Sequence, residues 1–126
     1  VQLLAERFGA TLEKISLGGC RTVGDASVVA LERNCTSLRS LCLKGTGVTD
    51  RTALASLGVS NPRLRILSLS GVKCVDSSIL ITVASACPEL EEVYLSGVGV
   101  TGETVELFRK ARPKTVVYGK KRKIST

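Results

Sequence analysis

A 26-residue period governs this chain. Leu12, Leu38, Leu64 and Leu90 stand 26 apart, and so do Ile15, Leu41, Leu67 and Val93. Leu17, Leu43, Leu69 and Leu95 repeat the spacing, as do Gly19, Gly45, Gly71 and Gly97. Four columns in register over four copies mean that each copy adopts the same local structure. A unit of this length cannot bury an apolar face alone, so the units must stack and share one continuous core.

The unit itself is readable. In Leu38-Arg-Ser-Leu-Cys-Leu43, Leu41 and Leu43 alternate with Ser40, Cys42 and Lys44. Period-two alternation predicts a strand with one buried side and one outward side. A glycine after each strand permits a tight turn. Asp25, Asp50 and Asp76 then fit helix N-caps, whose carboxylates accept from unsatisfied first-turn N–H groups. The helices that follow should bury Val28, Leu31 and Cys35; then Leu54 and Leu57; then Leu80, Val83 and Cys87, because spacings of three, four and seven share one face.

The ends depart from the pattern. Residues 1–11 are predicted to hold the helix of a preceding unit, with Leu3, Leu4 and Phe8 turned inward. Residues 12–118 form the repeat domain of about four units and a short terminal strand, Thr115 to Tyr118. In the last unit Gly102 stands in place of the Asp cap, before a charged helix from Glu103 to Lys110. The basic tail, 119–126, is expected to be disordered. The predicted architecture is an α/β solenoid, a horseshoe segment with parallel strands on the concave side and helices on the convex side.

Composition narrows the function classes. The net charge is +7, but residues 1–108 carry ten basic and eleven acidic groups, whereas 109–126 carry eight basic groups and no acidic one. The basicity belongs to the C-terminal end and argues against a nucleic-acid-binding body, leaving at most weak contact through the tail. No apolar run reaches membrane-spanning length, so no membrane partner is expected. The five cysteines form no C-x-x-C pair and there is no His. Neither a metal site nor a redox dithiol is supported, and Cys20, Cys35, Cys74 and Cys87 are expected as reduced core residues. No cofactor is expected. With no His and no Ser/Asp constellation, neither is a catalytic site.

Leu17-Gly-Gly-Cys20, Val23-Gly-Asp25, Val28, Leu31, Cys35 and Leu38 together resemble the cysteine-containing subfamily of leucine-rich repeats. The third unit, with Val75-Asp76, Ala84, Cys87, Pro88 and Leu90, is similar to it as well. The second unit keeps Val48-Thr49-Asp50 and lacks both cysteines, and the fourth keeps only Val100-Thr101. That subfamily is typified by the F-box leucine-rich-repeat proteins, the substrate receptors of SCF-type ubiquitin ligases. The resemblance implies an intracellular protein-interaction module, cytoplasmic or nuclear, engaged in substrate recognition. A ligase adaptor would be reached through an upstream region. The alternative is a structural scaffold subunit of a cytoskeletal or axonemal assembly.

The outward strand positions are the expected protein-binding face: Lys14, Ser16 and Gly18; Ser40, Cys42 and Lys44; Ile66, Ser68 and Ser70; Glu92, Tyr94 and Ser96. Tyr94 reads as a single exposed aromatic beside small residues and a candidate anchor. Lys120-Lys121-Arg122-Lys123 fits a short nuclear-localisation run.

Overall fold

The structure, a computed structural model, describes residues 2–119. Helices and strands alternate: α1 (Gln2–Phe8), β1 (Lys14–Ser16), α2 (Asp25–Asn34), β2 (Ser40–Cys42), α3 (Arg51–Val59), β3 (Ile66–Ser68), α4 (Ser77–Ala86), β4 (Glu92–Tyr94), α5 (Gly102–Ala111) and β5 (Val116–Tyr118). The strands make one parallel sheet in sequential order. Its register is the sequence period: Lys14 pairs with Ser40, Ser40 with Ile66, and Ile66 with Glu92. The last step is two residues shorter, with Val116 opposite Glu92 and Tyr118 opposite Tyr94.

Alternation places Ile15, Leu41, Leu67, Val93 and Val117 in one buried line. The helices close over it with Val28 and Leu31, Leu54 and Leu57, Leu80 and Val83, and Val105 and Phe108, all buried. After each of the first four strands, Gly19, Gly45, Gly71 and Gly97 take φ between +69° and +81°, which side-chain-bearing residues rarely adopt. These turns extend the ladder: Gly19 N–H donates to the Lys44 carbonyl at 2.8 Å, Gly45 to Ser70 at 2.9 Å, and Gly71 to Ser96 at 2.8 Å.

The caps hold at Asp50 and Asp76, whose carboxylates accept from Ala53 N at 3.0 Å and Ile79 N at 3.1 Å. They do not hold at Asp25, which lies inside α2; Gly24 occupies its N-cap position without a side-chain bond. The Asp25 carboxylate instead accepts from Thr49 N at 2.7 Å, Asp50 N at 2.8 Å and the Thr49 hydroxyl, joining the first unit to the second. In the last unit the cap is Thr101, accepting from Thr104 N at 3.2 Å, and not the expected Gly102.

One column, Cys35, Asn61 and Cys87, follows helices α2, α3 and α4 and is fully buried, and the side chains of Asn61 and Cys87 bond the carbonyls at the end of α3. Asn61 donates through Nδ2 to the Leu57 carbonyl at 2.8 Å and accepts from Leu38 N at 2.9 Å. The Cys87 thiol donates to the Gly58 carbonyl at 3.2 Å. Neighbouring helices approach closely here, since a Cβ on Gly58 would lie 2.7 Å from a Val83 methyl.

Leu3, Leu4 and Phe8 are exposed, Leu3 by 68%, and do not turn inward. Ala5 and Gly9 are what seat α1. Ala5 is fully buried, and a Cβ on Gly9 would stand within 2.7 Å of Asn34. Small residues permit close helix approach, so they set the facing of this seven-residue helix. Of the cysteines expected in the core, Cys35 and Cys87 are buried, Cys74 is half-buried and Cys20 is exposed on its turn. All five are free thiols. No helix among the described residues is long and apolar enough to cross a membrane.

Candidate functional site

The parallel register lays two lines of side chains across the sheet face opposite the core. One runs Lys14, Ser40, Ile66, Glu92 and Val116; the other runs Ser16, Cys42, Ser68, Tyr94 and Tyr118. Strands about 4.8 Å apart make these continuous rows. Lys14, Ser16, Lys44 and Ser96 are exposed, while Ser40, Cys42, Ile66, Glu92 and Tyr94 are half-buried.

Ser68 departs from expectation and is buried, as is Ser70. Ser68 is a short side chain in register between the longer Cys42 and Tyr94, which leaves it recessed. Ser70 Oγ is used internally, accepting from Ser96 N at 3.0 Å. Gly18 borders the row, and a Cβ there would lie 3.3 Å from the Cys42 sulfur.

Tyr94 is not a single exposed aromatic. Its ring stacks on Tyr118 with centroids 4.5 Å apart and planes 9° from parallel. Its hydroxyl donates to Glu92 Oε1 at 2.6 Å. That hydrogen bond, reinforced by partial burial and by the Glu92 charge, pushes the Tyr94 phenol up to about 12. The two rings and the carboxylate form an amphipathic cluster beside the exposed Val116. Lys14 and Lys44 lie toward the opposite end of the face, so the face is polarised along the stack.

Ion pairs flank the strand starts. Arg39 lies 3.7 Å from Glu13, and Arg65 donates to Glu91 at 2.7 Å, holding the Glu91 carboxyl below its ordinary value. On the helix side, Arg51 pairs with Asp76 at 2.6 Å. A cleft of about 500 Å³ there is lined by Glu32, Arg51, Thr52 and Ser78 among others. A smaller groove of about 290 Å³ between α4 and α5 exposes Ile81 and Leu107. Among the described residues no group of His, Cys, Asp and Glu is placed to hold a metal ion. The run Lys120, Lys121, Arg122 and Lys123 lies outside the described residues.

Sequence reasoning missed Tyr118 and Asn61. The offset of the last strand hid the first, although Val117 extends the apolar column that fixes its register. The second was signalled by position, since Asn61 stands 26 residues from both Cys35 and Cys87. No family model matches the chain.

Proposed function

We propose that this chain is a segment of a leucine-rich-repeat solenoid, with strands concave and helices convex, and that it acts as a protein-binding module and not as an enzyme. The observation that carries this reading is the Tyr94–Tyr118 stack with Glu92, set at one end of a row of small side chains. Rigid aromatics with a polar tip offer contact area at little cost in conformational entropy, which is why Tyr is enriched at binding hot spots. The row from Ser16 through Cys42 gives an extended partner segment room to lie across the strands. Lys14 and Lys44 at one end and Glu92 at the other would fix its orientation more than its affinity.

The more specific reading, substrate recognition for an SCF-type ubiquitin ligase, rests on the resemblance of the repeats to the cysteine-containing subfamily. The alternative, a scaffold subunit of a cytoskeletal or axonemal assembly, draws on the exposed Ile81 and Leu107 of the helix side. Paired variants separate the two faces. Tyr94→Ala with Ser96→Arg should abolish partner capture while circular dichroism shows the fold retained. Glu32→Ala with Arg51→Ala should leave capture intact. The reverse outcome favours the scaffold.

A further inference from the structure

We propose that the loops following β1, β2 and β3 form a binding site for a phosphate monoester dianion, distinct from the strand-face cluster. A cleft of about 470 Å³ opens at this edge, lined by Arg21, Gly45, Thr46, Gly47, Thr49 and Lys73 among others. Its geometry comes from the repeat. Arg21, Gly47 and Lys73 occupy equivalent places in three successive units, 26 residues apart. The two cations therefore flank a glycine floor, on loops two strand spacings or about 10 Å apart. The floor stays low for a structural reason: a Cβ on Gly47 would stand 3.1 Å from the Arg21 carbonyl oxygen.

These cations are available. Among the described residues the ion pairs are Arg39–Glu13, Arg51–Asp76 and Arg65–Glu91, so Arg21 and Lys73 are unpaired. The nearby carboxylates are engaged elsewhere. Asp25 is bound by Thr49 and Asp50, Asp50 caps α3, and Asp76 caps α4 and pairs with Arg51. The Thr49 hydroxyl donates to Asp25, so the Arg21 guanidinium and the Lys73 ammonium do the binding. A guanidinium fork and an ammonium group lining one cleft suit a tetrahedral dianion better than a single carboxylate. A polyanion such as nucleic acid fits poorly. The next place in the cationic column is Gly99, so the positive charge does not extend into a track.

The test is ¹H–¹⁵N NMR titration of the full chain with the peptide Gly-Gly-phosphoserine-Gly-Gly, its unphosphorylated counterpart, inorganic phosphate and a single-stranded oligonucleotide. The site predicts saturable shifts at the amides of Arg21, Gly45, Thr46, Gly47 and Lys73, with a Kd on the order of millimolar for so small a ligand. The unphosphorylated peptide should produce none. Arg21→Ala with Lys73→Ala should weaken binding by about tenfold or more, with the remaining spectrum unchanged, while Arg63→Ala should not. Tighter binding of phosphopeptide than of inorganic phosphate assigns the site to a protein-borne group, and equal binding assigns it to the free anion. Non-saturating shifts across all basic residues, an unaffected double variant, or oligonucleotide binding tighter than both phosphates would overturn the proposal.

Discussion

The Asp25 carboxylate is held by Thr49, 24 residues further along the chain, through both the Thr49 backbone N–H at 2.7 Å and its hydroxyl. A third donor, Asp50 N–H, sits on the same oxygen as the Thr49 amide. These bonds hold the Asp25 carboxyl below its ordinary value, led by the Thr49 hydroxyl bond, against a small opposing effect of burial. An acidic group whose folded value is depressed contributes stability that is present above its unfolded value and lost as pH falls through the folded value. Asp25→Asn should therefore lower the melting temperature at neutral pH, and the gap to wild type should close below about pH 4. A gap that is independent of pH would assign the effect to something other than the ionised carboxylate. In a double-mutant cycle with Thr49→Val the two losses should be strongly non-additive.

Leu67 lies in the buried strand column between two equivalents, Leu41 and Val93. Leu67→Ala should cost about 2–5 kcal/mol by lost transfer energy and the cavity left behind. Denaturant unfolding that gives less than about 1 kcal/mol would contradict the assigned strand phase.

The Tyr94 hydroxyl makes a spectroscopic prediction. In a Tyr118→Phe background, Tyr94 is the only tyrosine, and its ultraviolet titration should be centred well above the ordinary value, because the Glu92 bond that leads the shift is kept. Glu92→Gln should move it back toward the ordinary value of about 10. Because the folded value is raised, the associated stabilisation is complete below the unfolded value and disappears as pH rises from about 10 through the folded value. A midpoint unchanged by Glu92→Gln would remove the hydrogen bond from the account.

The thiols should separate by burial. All five are free, so mass spectrometry should find five thiols without prior reduction. Thiol reagent should reach Cys20 first and leave Cys35 and Cys87 unmodified until the protein unfolds. Burial pushes the Cys87 thiol up to about 11, although Arg112 opposes this, and so removes its nucleophilic form as well. Rapid labelling of Cys87 in the native protein would contradict its position against the Gly58 carbonyl.

The 26-residue spacing made the sheet legible, because alternation around Ile15, Leu41, Leu67 and Val93 leaves one register that keeps this whole column inside. What escaped were choices between adjacent residues and contacts between distant ones. Gly24, and not Asp25, is in phase with the caps Asp50 and Asp76, but a carboxylate is a more visible cap than a glycine. Leu3, Leu4 and Phe8 look like a buried stripe by size. The seating of α1 is decided by how closely Ala5 and Gly9 let it approach α2, which depends on tertiary packing. The aromatic stack was hidden in the same way. Tyr118 meets Tyr94 only because the final connection is two residues shorter than the others.

The most direct test of the strand-face account is site-specific photocrosslinking in cell extract. A photoreactive amino acid is placed in turn at Cys42 and Ser96 on the strand face and at Thr52 and Ser78 on the helix side. The account predicts a common crosslinked partner from positions 42 and 96, lost on Tyr94→Ala, and none from 52 or 78. The same partner crosslinking from 52 and 78 but not from 42 and 96 would contradict it.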